Sequence, residues 1–152
     1  MILPTKFVTQ TGAAMVEFAI VLPLFVFLIF VPIEFGFALY DKGVITNAAR
    51  NGARSAIIAS NTKTLATAKQ AGIDKVTSYC TQNLISLSNL PSSKACTTTF
   101  LNTNAITQDS PMTIQVSYTY TGLFIGKLSS LVRGTPLSNV LNMTAVVTMY
   151  NE

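Results

Sequence analysis

Hydrophobic positions divide the chain into an apolar N-terminal part and a more polar remainder. Residues 18–33, FAIVLPLFVFLIFVPI, form an uncharged run. At 1.5 Å per residue this run covers only about 24 Å, less than the roughly 30 Å of a bilayer's hydrocarbon core. A helix over 13–39 is long enough to span and brings Glu17 and Glu34 near its ends. The pattern therefore predicts a membrane-anchoring helix with a carboxylate close to each boundary.

The next twenty residues, 41–60, continue the helical pattern without a proline. Small residues recur there at four-residue spacing, which permits close helix packing; they are Ala48, Gly52 and Ala56 on one row, and Ala49 and Ala53 on another. Arg50 and Arg54 share a face with no acidic residue four positions away. The two arginines either form a solvated basic edge or pair with acidic groups elsewhere, such as Glu152 or acids of a second subunit.

The polar remainder predicts one helix and a small sheet. Residues 61–87 carry apolar positions at spacings of three and four, which predicts a second, amphipathic helix. Residues 97–101 predict a short strand, and 112–121 and 141–150 alternate as half-buried antiparallel strands do. Their predicted inward side chains are Met112, Ile114, Val116, Tyr118 and Tyr120, then Leu141, Met143, Ala145, Val147 and Met149. Between the two strands, the apolar segment 123–132 is expected to contact the core or a partner rather than lipid.

The predicted fold class is α+β: a long N-terminal membrane-anchoring α-helix, a second amphipathic helix and a small antiparallel β-sheet. Charged residues make up 11% of the chain and hydrophobic residues 49%, with a mean hydropathy of +0.47. Soluble domains have roughly 25% charged residues. The net charge of +4 is dispersed, so no nucleic-acid patch is expected. With no histidine, metal cluster or phosphate-binding loop, an enzyme is not expected, nor a cofactor or metal.

Cys80 and Cys96 both lie in the polar remainder. If this part is outside the cytoplasm, a disulfide between them is the natural interpretation, and it would stabilise the fold by about 3 kcal/mol. The alternative is two buried free thiols. A cleaved secretory signal peptide is disfavoured, because no small-x-small cleavage site follows the apolar run promptly. The positive-inside rule alone mildly favours the opposite orientation, with Lys42, Arg50 and Arg54 following the span.

The stretch TGAAMVEFAIVLPLFVFLIFVPIEFGFALYDKGVITNAARNGAR, residues 11–54, resembles the TadE-like pseudopilins of the bacterial tight-adherence (Tad/Flp) pilus system. Gly12 and Ala13, ahead of Met15-Val16-Glu17-Phe18, are similar to that system's prepilin peptidase site, which is cut after the glycine. The EFG of Glu34 to Gly36 is similar to the family's anchor exit, and NAARNGARSA to its small-residue and arginine stretch. The final strand, ending in AVVTMYNE, is similar to the family's last strand.

The resemblance implies roles for several residues. Glu17, Phe18 and Glu34 would take part in assembly, and Gly36, with the small residues 48, 49, 52 and 53, in helix packing. After cleavage, Ala13 would carry a new α-amine one helical turn from Glu17, which could neutralise it in the same chain or in a neighbour. The simpler alternatives are an interfacial glutamate in contact with water and a glycine that only caps a helix.

The resemblance also implies an organisation and a set of partners. Residues 1–12 would be a leader, 13–40 a transmembrane and assembly helix, 41–60 its continuation, and 61–152 an extracytoplasmic α+β domain. The protein would lie in the bacterial inner membrane with its C-terminal domain in the periplasm, or in a pilus. Its expected partners are other pilins and pseudopilins, the Tad inner-membrane assembly proteins, the prepilin peptidase and the lipid bilayer.

Two functions follow from these observations. The first is a structural one: a membrane-anchored pseudopilin that acts in biogenesis of an adherence pilus or as its minor subunit. The alternative is a monomeric, membrane-anchored periplasmic binding module that never enters a pilus. The processed N-terminus distinguishes them, because only the first requires cleavage after Gly12.

Overall fold

A computed structural model describes residues 11–61, 64–85, 95–101, 111–122 and 140–150. The chain forms helices α1 (Thr11–Ser60) and α2 (Leu65–Asn83) and strands β1 (Thr97–Phe100), β2 (Pro111–Thr121) and β3 (Val140–Tyr150). The described strands form an antiparallel sheet in the order β1-β2-β3. The predicted α+β class, with its long N-terminal helix, second helix and small sheet, is confirmed. The leader residues 1–10, the segment 123–132 and Glu152 lie outside the described ranges.

Helix α1 is 50 residues long and remains helical through Pro23 and Pro32. From Gly12 to Phe30 every side chain is exposed, whereas burial begins at Glu34 and recurs on one face of the helix. That face carries Ala38, Asp41, Ile45, Ala48, Ala49, Gly52, Ala53 and Ala56. The globular domain therefore begins on the helix at Glu34, within the segment 13–40 that the sequence suggested for the anchor.

Helix α2 is shorter than the predicted 61–87, and side-chain chemistry explains both ends. Thr64 caps its N-terminus: the hydroxyl accepts a hydrogen bond from the Thr67 amide at 3.4 Å, as threonine does at many helix starts. At the other end Leu84 adopts an extended conformation and is buried in the core. The next amide, of Ile85, donates to the Asp41 carboxylate on α1 at 3.0 Å. Asp41 therefore takes the amide that would have continued the helix.

The sheet places alternate side chains of β2 in the core. All five predicted inward residues of β2 are buried, as its alternation indicated. On β3, Met143 and Ala145 are buried, and Val147 and Met149 pack partly against the core. The prediction for Leu141 is wrong, because its side chain is 51% exposed. Leu141 lies near the start of β3, an edge strand among the described strands, where neighbouring side chains cover only one flank.

Helix α1 packs against both the sheet and α2, so it forms the centre of the domain. The two helices approach most closely where Gly52 faces Gly72. A methyl group built on Gly72 would lie 3.1 Å from the Gly52 carbonyl oxygen, and one built on Gly52 would overlap the Val76 side chain. Glycine at both positions therefore permits the close contact between the helix backbones.

Candidate functional site

The exposed part of α1 is the first candidate for a functional surface. Its most apolar 18-residue window has a mean hydropathy of 2.7 and none of that window is buried within the chain. Among the described helices, α1 alone is long and apolar enough to cross a membrane. The exposed run 12–33 extends for about 33 Å, close to the roughly 30 Å of a hydrocarbon core. By length and composition, this segment is suited to anchor the protein.

The predicted processing and assembly residues lie along this run. Gly12 and Ala13 lie within α1, whose described residues start at Thr11. Glu17 and Phe18 are exposed, one turn further along. The geometry leaves Glu17 one helical turn from Ala13, on a surface that the described part of the domain does not cover.

Glu34 occupies a different environment from Glu17. It is only 2% exposed, because the end of β2 covers it. A methyl group on Gly122 would overlap the Glu34 carboxylate, so any larger residue there would require the Glu34 side chain to move. The predicted assembly residue Glu34 is thus enclosed by its own domain.

A second buried carboxylate, Asp41, lies two helical turns beyond Glu34 on the same face of α1. It is 0% exposed and accepts the Ile85 amide hydrogen bond that ends α2. The carboxylate is also close enough to Tyr118 on β2 to interact with it electrostatically. Asp41 therefore joins α1 to the residue that follows the end of α2 and lies under the sheet. The sequence analysis assigned Asp41 no role. The seven-residue spacing of Glu34 and Asp41 nevertheless places both acids on one face of the helix, which indicates a common environment.

Two buried tyrosines lie over these carboxylates. Burial, then the negative charge of Asp41 and the neighbouring Tyr120, raise the pKa of Tyr118 to about 12. Burial and the carboxylates of Glu34 and Asp41 raise the pKa of Tyr120 to about 12. Each phenol stays protonated because an ionised ring would lose its hydration and face carboxylates. The Tyr120 hydroxyl is buried and has no hydrogen-bond partner among the described residues.

The predicted helix-packing residues separate into two groups. Ala48, Ala49, Gly52 and Ala53 are buried within the chain, so their small size serves the packing of the domain itself. Gly36 is exposed, and a methyl group built on it would meet nothing within 4 Å. Sequence spacing did not distinguish the two groups, because both lie on the same helix.

The predicted ion pairs of Arg50 and Arg54 are not formed with any described residue. Both side chains are exposed on α1, and Glu152 lies outside the described ranges. Another basic residue, Lys42, donates a hydrogen bond to the Thr144 carbonyl of β3. This contact joins α1 to β3.

The two cysteines form a disulfide between Cys80 and Cys96. It joins the last turns of α2 to the residue before β1. Among the described residues, no group of three or more His, Cys, Asp or Glu is arranged to hold a metal ion.

A groove of about 380 Å³ lies between α1 and α2. It is lined by Leu39, Tyr40, Gly43, Val44, Asn47, Tyr79 and Asn83. Its lining is part apolar and part hydroxyl and amide, and its volume is in the lower range of small-molecule sites. Sequence reasoning did not identify this groove, because its lining comes from two helices about 40 residues apart.

A family model described as TadE-like protein matches residues 12–54. The match confirms the resemblance that the N-terminal motifs indicated, and the matched segment lies entirely within α1. No curated protein and no solved structure matches the chain. The family match therefore concerns the exposed helix and its continuation into the domain.

Proposed function

We propose that the chain, whose residues 12–54 match a model of the TadE-like proteins, is a membrane-anchored pseudopilin of a Tad-type pilus. It would act in pilus biogenesis or as a minor subunit, with its α+β domain outside the cytoplasmic membrane. The observation that carries this proposal is a single α-helix that joins an exposed apolar segment to the core of the domain. Because Glu34, Asp41 and the small residues of α1 are buried, a force applied to the apolar segment would act directly on the domain.

Processing after Gly12 is part of this proposal. The cut would leave Ala13 with an α-amine that is largely cationic at neutral pH. Glu17 would then face this amine within the chain or in a neighbouring subunit, in surroundings where a charge-assisted contact is strengthened by the absence of water. Pilins, pseudopilins and the Tad inner-membrane assembly proteins are the proposed partners, and the prepilin peptidase is the processing enzyme.

Intact-mass measurement tests the processing step. Protein from cells that contain the cognate peptidase should begin at Ala13, whereas protein from cells lacking it should begin at Met1. The substitution Gly12→Leu should block the cut, and Gly43→Ala, at another exposed glycine of α1, should leave it unchanged. A chain that begins at Met1 in the presence of the peptidase would overturn the processed form.

Assembly is tested at Glu17. Glu17→Ala and Glu17→Gln should both insert into the membrane normally, because each removes a charge from an apolar helix. Both should reduce pilus number by about tenfold or more, since losing a charge-assisted contact worth at least about 1.4 kcal/mol lowers an association constant tenfold. The control Leu24→Ala changes an exposed apolar position of the same helix. Normal piliation by both Glu17 variants would contradict the assembly role.

The groove between α1 and α2 supports the alternative, a monomeric periplasmic binding module. Its tyrosine and asparagine side chains provide hydrogen-bonding groups for a small polar ligand. Under this alternative, Asn47→Leu would abolish ligand binding and leave pilus formation intact. Under the first proposal, the Glu17 variants would lose piliation whatever happens at the groove.

A further inference from the structure

The direction of the sheet relative to α1 follows from two contacts. Gly122, directly after β2, lies against Glu34, and the Ile114 side chain lies 3.8 Å from a methyl group built on Gly52. Glu34 and Gly52 are about 27 Å apart along the helix, and Ile114 and Gly122 are about 27 Å apart along the strand. Strand β2 therefore runs antiparallel to α1, and its C-terminal end lies at the level of Glu34.

This arrangement sets the height of the sheet above the apolar run. Glu34 follows Ile33, the last residue of that run, and is only about 1.5 Å further along the helix axis. Gly122 contacts Glu34, and Leu141 pairs with Tyr120, two residues from Gly122. Two residues of a strand span about 7 Å. The start of β3 is thus about 8 Å beyond the apolar run.

Four exposed side chains of α1 and β3 lie near this level. Phe35, Leu39 and Tyr40 are on α1, and Leu141 is on β3; each is at least half exposed. The three helix residues lie within about 11 Å of Ile33 along the axis. We call these four residues the collar. Leu39 and Tyr40 also line the groove between α1 and α2, and the three helix residues follow the apolar run directly along α1.

We propose that the collar lies in the lipid headgroup layer, so that the membrane-proximal end of the domain rests on the bilayer. The inference depends on the proposed membrane anchor. A bilayer is about 40–45 Å thick with its headgroups, which leaves about 5–8 Å for the headgroup layer on each side. An apolar run that fills the hydrocarbon core therefore places Phe35, about 3 Å beyond Ile33, within that layer and Leu141 at its limit. The backbone of Leu39 and Tyr40 is about 9 and 11 Å beyond Ile33, but their side chains tilt toward the helix N-terminus and so toward this layer, where tyrosine is favoured.

The charges near the collar fit a lipid surface. The one carboxylate within a turn of the boundary, Glu34, is covered by Gly122 and so is not presented to the lipid. Asp41 is also buried. The described collar region thus exposes apolar groups and encloses its acids.

Tryptophan fluorescence tests the proposal, because the chain contains no tryptophan. The variants Ile33→Trp, Tyr40→Trp, Leu141→Trp and Val146→Trp each introduce a single reporter into the full chain. Each is reconstituted in phosphatidylethanolamine–phosphatidylglycerol vesicles that carry a nitroxide quencher on the headgroup. Leu141 and Val146 lie on one strand, 51% and 54% exposed and about 17 Å apart, with their side chains on opposite faces of the sheet.

The collar variants Tyr40→Trp and Leu141→Trp should be quenched at least about threefold more strongly than Val146→Trp, which lies beyond the headgroup layer. Equal quenching of Leu141→Trp and Val146→Trp, with Ile33→Trp quenched, would overturn the collar and leave the anchor standing. An Ile33→Trp that no lipid quencher reaches would overturn the anchor and the collar together. A blue-shifted Leu141→Trp that is not quenched and that depends on protein density would show that a neighbouring subunit covers the collar, which also overturns the proposal.

Discussion

Three acidic side chains on α1 behave differently because the rest of the chain surrounds them differently. Glu17 is exposed on an apolar helix, whereas Glu34 and Asp41 are buried under the sheet. Asp41 accepts a hydrogen bond from the Ile85 amide. A buried carboxylate is tolerated when such a donor offsets part of its lost hydration. Glu17 has no comparable hydrogen-bond donor within the described chain, which is consistent with a role in contacts with other molecules.

The tyrosines over these carboxylates predict a pH dependence of stability. In the unfolded chain Tyr118 and Tyr120 ionise near pH 10, whereas in the folded protein their pKa values are about 12. Between these values the folded state holds more protons than the unfolded state, so the free energy of unfolding falls as pH rises. The contribution is complete below pH 10 and should decrease by about 1–2 kcal/mol per tyrosine by pH 12.

Urea unfolding in detergent, below pH 10 and between pH 10 and 12, measures this effect. Tyrosinate absorbance of the folded protein should show a component that ionises well above pH 10 and that is missing from the unfolded protein. Tyr118→Phe and Tyr120→Phe should each reduce this component, and the double variant should remove both contributions. A folded protein whose tyrosinate absorbance follows that of the unfolded protein would contradict the assigned environment.

At the level of elements, two glycines of α1, Gly52 and Gly43, lie in different surroundings. Gly52 is required by the contact with α2, because a methyl group there would overlap Val76 and lie 3.2 Å from the Gly72 carbonyl oxygen. Gly43 is exposed, and a methyl group there would meet nothing within 4 Å. Glycine in a helix interior costs about 1 kcal/mol relative to alanine. The two positions therefore respond in opposite directions to the same substitution.

Gly52→Ala should lower the free energy of unfolding by about 1–3 kcal/mol, because it overpacks the contact between the helices. Gly43→Ala is the matched control and should raise it by about 0.5–1 kcal/mol, since only helix propensity changes. Chemical denaturation of both full-length variants in the same detergent gives the comparison. A stable Gly52→Ala protein would show that the helices pack less closely than described.

The secondary structure was largely predictable from sequence because each element carries its own periodicity. The alternation of β2 identified every inward residue, from Met112 to Tyr120. The end of α2 was not predictable, because Ile85 donates its amide to Asp41, 44 residues earlier in the chain. Leu141 was predicted to be buried because alternation indicates which face of the strand a side chain is on. Alternation does not indicate whether other residues cover that face at a given position.

For the whole molecule, the division between anchor and domain lies within one continuous helix. Every buried residue of the described chain is at position 34 or later. The exposed run before it contributes no core side chain to the folded domain. The domain should therefore fold without the anchor, while the anchor sets its height and orientation at the membrane.

A variant that begins at Ile29 tests this division. It should remain soluble without detergent and keep its free energy of unfolding within about 1 kcal/mol of the full chain, since no buried apolar surface is removed. A second variant that begins at Tyr40 is the contrast, because it deletes the buried Glu34 and Ala38. Circular dichroism during denaturation distinguishes them. Loss of folding in the Ile29 variant would show that the apolar run stabilises the domain directly.

The sequence by itself determined the long apolar helix, the α+β class, the TadE-like motif and the alternation of the two long strands. These features are local, because helix and strand periods and the composition of a membrane segment appear in consecutive residues. The tertiary structure decided which acids are buried and which small residues pack within the domain. It also placed the end of the sheet at Glu34, beside the apolar run. These outcomes depend on contacts such as Glu34 with Gly122, 88 positions apart, and periodicity along the chain carries no record of such a pairing.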